Sequence, residues 1–521
     1  MTSLVALPVL LPLLAAGLCL VLGRSAFAQR TLSLLALGAV VVVAGVLVAV
    51  TDTAGPQVLS IGGWGPDGIV LVADRLSSLL LLVSSIVTLC VLAYAHGQGI
   101  VEAGPGASLS VFHPTFLVLC AGVSNAFLTG DLFNLYVSVE ILLVSSYVLI
   151  TLGATRTRVR AGMVYVVVSL LSSVLLVTGL AALYSVTGTV NLADAAVKLQ
   201  SVGAGTRDAL QAVLLTAFGV KAAIFPVSAW LPDSYPTAPA PVTAVFAGLL
   251  TKVGVYAMVR VQTLLFPDNP RSELFLVLGM ATMLIGILGA ISQSDIKRIL
   301  SFTLVSHVGF VLVGLGLFTR NGLAGALFYV VHHITTQTSL FLLAGLIEYR
   351  MGTTDVDRLG GLARLAPVLA GAFLVPALSL GGIPPLSGFL GKLAVLQAGV
   401  QEGSWLALGS VAVGLLTSLL TLYALAKVWS QAFWRPAPLS DADARSGVRP
   451  GQDDVSGTLV GDAGGDRSRV PLALSVPAYA LVAVGLAFTA VAGPLYDYAV
   501  RSADELRAPA SYVTRVLGGA E

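Results

Sequence analysis

Long apolar runs alternate with short polar connections along almost the whole chain. A run of about 20 apolar residues is the length that an α-helix needs to cross a bilayer. The pattern therefore predicts an all-α polytopic membrane protein with about fourteen transmembrane helices. The predicted spans are residues 3–23, 29–51, 70–95, 112–129, 131–153, 163–186, 209–228, 241–265, 273–293, 296–319, 323–349, 365–400, 404–434 and 471–498.

Prolines interrupt the seventh and the twelfth predicted spans. They are Pro226, Pro232, Pro236, Pro239 and Pro241 in or beside one span, and Pro376, Pro384 and Pro385 in the other. Because proline removes an amide donor, both spans are predicted to be broken helices. Broken helices at corresponding positions are typical of transporters built from paired repeats. We therefore expect helices 4–8 and 9–13 to form two five-helix repeats, the second inverted because five is an odd number.

The connections between the spans suggest five parts and an orientation. The parts are an N-terminal unit of helices 1–3 (1–111), a first repeat (112–265), an inverted second repeat (273–434), a flexible cytoplasmic loop (435–470), and helix 14 with a C-terminal tail (471–521). Arginine and lysine are concentrated in the connections that are cytoplasmic if the N-terminus is outside. Because basic loops stay in the cytoplasm, both termini are predicted to lie outside.

Composition supports a membrane protein and excludes several other classes. The chain has 521 residues, of which 56% are hydrophobic and 10% charged, whereas soluble domains carry about 25% charged residues. A net charge of +2 gives no reason to expect nucleic-acid binding. The three cysteines lie in separate spans without metal-ligand spacing, and the chain has no nucleotide-binding or haem motif. We expect no cofactor, no metal and no enzymatic activity.

The lysines show the chemistry most clearly. The chain has six lysines, although Lys and Arg together number 28, so most solvent-facing positive charges are arginines. Lys221, Lys252, Lys392 and Lys427 nevertheless interrupt apolar spans. A desolvated amine can release its proton near neutral pH, whereas a guanidinium cannot. The first three are candidate proton carriers, while Lys427 lies near a span end, where a snorkelling role is favoured.

Other ionisable groups are predicted at the same mid-membrane depth. Glu140 lies halfway along the fifth span, His307 halfway along the tenth, and His332 and His333 near the middle of the eleventh. Each charged group at a helix centre costs about 2.5–3.5 kcal/mol on insertion scales. A series of such groups over six helices predicts a proton relay in the membrane plane, with Glu140 as the partner of a lysine.

Five segments carry a resemblance to a known family. They are DLFNLYVSVEILLVSSY (131–147), KAAIFPVSAWLPDSYPTAPAPVTAVFAGLLTKVGVYAMVR (221–260), SDIKRILSFTLVSHVGF (294–310), VHHITTQTSLFLLAG (331–345) and GGIPPLSGFLGK (381–392). Across helices 3–13 the chain resembles the D subunit of the Mrp-type Na+/H+ (monovalent cation/proton) antiporters. The same superfamily includes the proton-pumping membrane subunits of respiratory NADH:quinone oxidoreductase (complex I) and of membrane-bound hydrogenases.

The resemblance implies roles for the predicted residues. Glu140 on helix 5 would pair with Lys221 on helix 7, Lys252 on helix 8 would connect the two halves, and Lys392 on helix 12 would be the terminal lysine. His307, His332 and His333 would belong to the same polar axis. Relatives commonly carry a lysine where this chain has Gln337. Since glutamine cannot titrate, any proton-storing role at that position falls to the histidines or to water.

The expected function is that of a proton- and cation-translocating subunit in a multi-subunit Na+/H+ antiporter of a bacterial plasma membrane. Its expected partners in the lipid bilayer are the A-like, C-like and small membrane subunits of that complex, with protons and Na+ as the transported ions. The alternative is a proton-pumping membrane subunit of an NADH:quinone oxidoreductase or membrane-bound hydrogenase. A stand-alone solute carrier is disfavoured, because the polar axis lacks a substrate-shaped set of hydrogen-bond donors.

Overall fold

The computed structural model describes residues 2–23, 25–98, 109–152, 155–436 and 470–518. The N-terminal helices are α1 (Leu7–Val21), α2 (Ala26–Ala54), α3 (Arg75–Gln98), α4 (Leu109–Leu128), α5 (Leu132–Thr151), α6 (Arg156–Thr187), α7 (Leu192–Lys198) and α8 (Ala204–Lys221). The central helices are α9 (Trp230–Ser234), α10 (Ala240–Val245), α11 (Thr251–Arg260), α12 (Ser272–Ile291), α13 (Ile296–Leu317), α14 (Arg320–Met351) and α15 (Leu362–Leu365). The last helices are α16 (Pro367–Gly381), α17 (Ser387–Glu402), α18 (Trp405–Val428), α19 (Leu472–Ala490), α20 (Ala492–Arg507) and α21 (Ala510–Gly518). Most of the predicted loop at 435–470 lies outside the described residues.

The predicted class of all-α membrane protein is confirmed. Within the described ranges, twelve helices are long and apolar enough to cross a membrane. One of these spans, Ala240–Leu265, joins α10 and α11 through a π-helical turn at Phe246–Leu250 and ends in another. The predicted total of about fourteen crossings includes two further segments, α8–α9 and α16–α17, and that total stays a prediction.

Both spans that were predicted to break are interrupted. The helix α8 ends at Lys221, and helical structure resumes only at Trp230. The helix α16 ends at Gly381, and α17 begins at Ser387. Gly382 has φ 88°, a left-handed conformation that glycine adopts without a steric penalty, and Pro384 and Pro385 cannot continue the helix. Each break places a lysine beside non-helical backbone.

Two span predictions were wrong at their ends. The third span was expected to begin at residue 70, but Val70–Ala73 is the strand β2, which pairs antiparallel with β1 (Gln57–Ser60). The backbone there is extended because it completes a hairpin, and α3 starts only at Arg75. The fourteenth span was expected to reach residue 498, but α19 ends at Ala490 and a separate amphipathic helix, α20, follows.

The β1–β2 hairpin and the C-terminal helices α20 and α21 lie at the same end of the bundle, as their contacts show. The amide of Gly130, between α4 and α5, donates to the carbonyl of Val70 in β2. The helix α21 packs on α7 and β1. We call this end of the bundle the hairpin face. The bundle is centred on α14 and the 240–265 span. In the most apolar part of each, all residues are buried, whereas in the peripheral α2 only 28% are.

Backbone pairing at two places supports the predicted inverted repeats. Next to α5, the Leu132 amide donates to the Val190 carbonyl, and the Leu192 amide to that of Gly130. Next to α13, five spans later, the Ile296 amide donates to Thr354 and the Val356 amide to Ser294. Asp131 and Asp295 cap the two helices, which begin at opposite ends of the bundle. The inverted repeats and the domain boundaries both stay predictions.

Candidate functional site

Glu140 and Lys221 are joined through a third side chain, Ser173 on α6. The Ser173 hydroxyl donates to Oε1 of Glu140, and Nζ of Lys221 donates to the same hydroxyl over 3.2 Å. The neighbouring Ser172 ties α6 to α8 by donating to the Ala217 carbonyl at 2.8 Å. The predicted carboxylate–lysine pair is therefore present as a hydrogen-bonded bridge, in which one hydroxyl can pass a proton between the two groups.

The position of Lys221 is favourable for a cation and has room for a water molecule beside it. Lys221 is the last residue of α8, where the helix dipole favours positive charge. A cavity of about 20 Å³ lies against it, lined by Ser169, Ser172, Tyr165 and Tyr235 among apolar side chains. A water molecule needs about 10–15 Å³ of such space, so one water fits beside the amine.

Lys252 lies deep in the bundle, at the start of α11. It is 2% exposed, and its Nζ donates to the carbonyl of Ala247 at 2.7 Å. Ala247 belongs to the π-helical turn at Phe246–Leu250, and such turns are frequent at functional sites. The bond holds the amine at the junction between the two halves of the predicted axis.

Three histidines and Tyr329 form one stacked cluster at the centre of the bundle. His307 bonds through Nδ1 to the Tyr329 hydroxyl at 2.6 Å and through Nε2 to Thr421 Oγ1 at 3.2 Å. The ring of His333 lies 5.5 Å from that of His307, and the ring of His332 lies 5.4 Å from that of Tyr329. All three histidines are at most 1% exposed. The cluster is a compact, buried set of groups that can hold or pass protons.

Lys392 on α17 is next to this cluster and to the break in the twelfth span. Its Nζ donates to the Leu380 carbonyl at 2.8 Å and lies 5.0 Å from the centre of the Phe310 ring. It is 3% exposed. The break exposes the carbonyls that end α16, and these carbonyls take the place of a counter-charge.

The buried cations of the chain fall into two groups. Arg260 lies 2.7 Å from a carboxylate oxygen of Asp74, and Lys297 lies 2.6 Å from one of Glu348. Among the residues that the structure describes, Lys252 and Lys392 have no carboxylate within 4.0 Å. An ammonium buried without a counter-charge is strongly disfavoured. The two lysines therefore occupy positions that favour a neutral amine.

The structure brings the predicted residues into three neighbouring groups. Glu140 and Lys221 share Ser173, Lys252 stands alone, and the three histidines lie with Lys392. Lys392 Nζ lies 5.0 Å and the His307 ring 5.8 Å from the centre of the Phe310 ring, so the lysine adjoins the histidines. Gln337 is fixed by donating to the Leu300 carbonyl at 2.6 Å.

One side chain differs from its predicted role. Lys427 was favoured to snorkel towards water, but its Nζ donates to the carbonyls of Ile291 and Gln293 at 3.2 and 2.9 Å. These carbonyls end α12, where a cation is favourable. The residue therefore ties α18 to α12, which makes its role structural.

Sequence reasoning missed the hydroxyl groups of the site. They are Ser173, Tyr329, Thr421 and Ser387, the last of which bonds His332 Nδ1 at 2.9 Å. Serine and threonine are common in transmembrane helices, where many bond their own helix backbone. The Ser172–Ser173 pair at the depth of Glu140 was the one local signal that could have indicated a polar contact.

Comparison with known proteins shows the family to which the chain belongs. The family described as "NADH:quinone oxidoreductase/Mrp antiporter, TM" matches residues 129–421, the part that contains every predicted site residue. The chain belongs to this family. It is 37% identical to the D subunit of the Na(+)/H(+) antiporter of Alkalihalophilus pseudofirmus, over 99% of this chain and 100% of that protein.

Solved structures agree with the assignment. A chain of the Mrp complex from Dietzia sp. DQ12-45-1b superposes with a TM-score of 0.89 at 33% identity, covering 99% of this chain and 100% of that one. A chain of respiratory complex I from Thermus thermophilus superposes with a TM-score of 0.72 at 22% identity, over 95% and 99% of the two chains. The second likeness shows a shared fold. Membership of the family makes the protein a multi-pass membrane protein and a transporter subunit.

Proposed function

We propose that this chain is the proton- and cation-translocating subunit of a multi-subunit Na+/H+ antiporter. Protons move along an axis in the membrane plane that runs from Glu140 through Lys221 and Lys252 to the histidine cluster and Lys392. The other members of the complex are an A-like subunit, a C-like subunit and small membrane proteins. The complex resides in a bacterial plasma membrane, with both termini of this chain outside.

The observation that carries this proposal is the absence of a carboxylate partner at Lys252 and Lys392 among the described residues. A buried lysine that only supported the fold would have a carboxylate partner, as Lys297 has in Glu348 at 2.6 Å. Removal of an ammonium from water without a counter-charge is costly, and deprotonation removes that cost. Both amines can thus alternate between a charged and a neutral form.

Coupling between neighbouring groups follows from their charges. When Glu140 is ionised, it favours the charged form of Lys221 across the Ser173 hydroxyl, and when it is protonated that support is lost. A proton arriving at one end of the axis therefore changes the proton affinity of the next amine. Similarity to the D subunit of a Na(+)/H(+) antiporter over the full chain supports Na+ exchange as the process that these steps drive.

A redox-driven pump subunit is the less supported alternative. The likeness to respiratory complex I is at 22% identity and concerns the fold. Both functions would use the same axis, so the axis residues do not separate them. The two functions differ in the process to which proton movement is coupled, which is Na+ exchange in one and electron transfer in a partner protein in the other.

The test is an assay of the assembled complex in inverted vesicles from cells that lack other antiporters. Addition of Na+ should dissipate a preformed pH gradient, and Lys392→Arg should abolish that response while the complex assembles normally. A full response with Lys392→Arg would contradict the proton-carrier role. Proton movement that needs NADH or quinone, and is indifferent to Na+, would support the redox alternative instead.

A further inference from the structure

A buried ionic cluster lies at the hairpin face, away from the central axis. It consists of Asp74, Arg75, Arg260 and Glu505, and we call it the hairpin-face cluster. Arg260 Nη2 lies 2.7 Å from Asp74 Oδ2, and these side chains are 4% and 2% exposed. Arg75 Nη1 lies 3.1 Å from Glu505 Oε2, and the Glu505 side chain is 8% exposed. The cluster joins α3 and α11 to the C-terminal helix α20.

Polar groups connect the cluster to Lys252. Lys252, Tyr256 and Arg260 are spaced four residues apart, so they lie along one side of α11. The Tyr256 hydroxyl donates to the Phe127 carbonyl at 2.7 Å and accepts a bond from Arg260 Nη2 at 3.4 Å. Lys252 and Tyr256 both line a cavity of about 10 Å³ whose other lining side chains are apolar, so the two side chains face the same space.

Glu505 is the group in the cluster that is best placed to take up a proton. Its Oε1 is buried and has no hydrogen-bond partner among the described residues. Burial, helped by the charge of Asp74, raises the pKa of Glu505 to about 7 against the opposing effect of Arg75 and Arg260. The charged groups that face the Glu505 carboxyl are Asp74 and Arg75 at the start of α3 and Arg260 on α11. Its carboxyl therefore changes charge in the range in which cells work.

The cluster also reaches the surface. Arg75 Nε lies 3.0 Å from Asp52 Oδ1, whose side chain is 27% exposed. Arg501, which is 45% exposed, lies 2.8 Å from the other carboxylate oxygen of Asp52. The set of charged groups thus extends from the interior at Arg260 to water at Arg501, and Glu505 lies between.

We propose that Glu505 exchanges protons between Lys252 and water at the hairpin face. This inference rests on the proposed function, because Lys252 must act as a proton carrier. The Tyr256 hydroxyl takes the proton of the Lys252 ammonium while its own proton leaves the Phe127 carbonyl for Asp74 and Glu505. Lys252 is left neutral and Glu505 becomes a carboxylic acid, which then loses the proton to water. Arg75 and Arg260 stay charged and hold the carboxylates in place.

The experiment measures Na+-driven proton flux by the assembled complex in vesicles of known orientation, with the pH varied on the hairpin-face side alone. Glu505→Gln should lower the flux by about tenfold or more, as expected when a proton-transfer group is removed. It should also remove the change in rate that the wild type shows near pH 7. Glu505→Asp, which keeps a carboxyl group, should retain part of the flux and its pH dependence. Tyr256→Phe should lower the flux without changing any charge.

Asp504→Asn is the matched control, because Asp504 is the neighbouring residue on α20 and pairs at the surface with Arg320. It should leave the flux and its pH profile at wild-type values. Lys252→Met tests the proposed function separately, and loss of flux in that variant would leave the function standing. If Lys252→Met abolishes the flux, then wild-type flux with a wild-type pH profile in Glu505→Gln would overturn the role of Glu505. Full flux in Lys252→Met would overturn the proposed function first.

Discussion

Glu140 and Lys221 bind the same hydroxyl, that of Ser173, which donates to the carboxylate and accepts from the amine at 3.2 Å. A hydroxyl between an acid and a base can pass a proton by reversing its two hydrogen bonds. The same arrangement transmits the charge of Glu140 to Lys221 without locking the two in a tight ion pair. This bridge should make the first step of the proposed axis sensitive to small changes in any of its three members.

Ser173→Ala should slow Na+-driven proton flux by about tenfold, because a hydrogen bond to a charged group is worth about 1.5–3 kcal/mol and water in the adjacent cavity can replace it in part. The measurement is dissipation of a pH gradient in inverted vesicles. Ser185→Ala, which removes an exposed hydroxyl on the same helix, should have no effect. An unchanged rate in Ser173→Ala would show that the hydroxyl is not on the proton path.

Glu140→Gln should abolish transport while assembly is retained, because glutamine can bond Ser173 but cannot be ionised. Glu140→Asp keeps the charge with a shorter reach and should retain a fraction of the flux. Growth of antiporter-deficient cells in salt, with subunit levels measured in parallel, reports both effects. Glu273→Gln, in the exposed first turn of α12, is the control. Salt resistance near the wild-type level in Glu140→Gln would mean that the carboxylate has only a structural role.

Lys252→Arg and Lys392→Arg should assemble yet fail to transport, because a guanidinium keeps its charge at all relevant pH values. Lys297→Arg is the matched control, since Lys297 is also buried but is paired with Glu348 at 2.6 Å. Lys427→Arg should likewise be tolerated, because arginine can bond the carbonyls that end α12. Exchange rates in inverted vesicles separate these outcomes. Equal loss in Lys297→Arg would point to packing rather than proton transfer.

Asp131→Ala should destabilise the chain by about 1 kcal/mol, the usual cost of removing a helix N-cap. The Asp131 carboxylate accepts the Asn134 amide at 2.6 Å and so caps α5. Asp131→Asn should cost little, because asparagine caps equally well. Thermal unfolding of the purified complex gives both values. A larger loss in Asp131→Asn than in Asp131→Ala would contradict the capping role.

The stability contributed by Asp131 should also depend on pH. Burial raises the pKa of Asp131 from 3.8 to about 6. An acid whose folded-state pKa is raised favours folding while it is protonated, so that contribution should be lost as the pH rises through about 6. Asp131→Asn should remove this dependence. The measurement is the unfolding temperature of both proteins across that pH range, and parallel curves would contradict the prediction.

The sequence by itself determined the all-α membrane class and most of the apolar spans, and it named the candidate residues of the proposed axis. Hydropathy is a local property, because the transfer of a 20-residue run into lipid depends on its own side chains. The breaks at Pro226 and Pro384 follow equally from local geometry. Lysines within apolar runs are conspicuous for the same reason, so the candidate carriers could be named from the chain alone.

Only the tertiary structure decided which partners those groups have. Nothing in the sequence shows that Lys297 meets a carboxylate of another helix, whereas Lys392 meets carbonyls at a helix break. Arg75 and Glu505 are 430 residues apart in the chain and 3.1 Å apart in the fold. Hydrogen bonds and ion pairs form between side chains of different helices, and no pattern within one helix specifies which helix packs beside it.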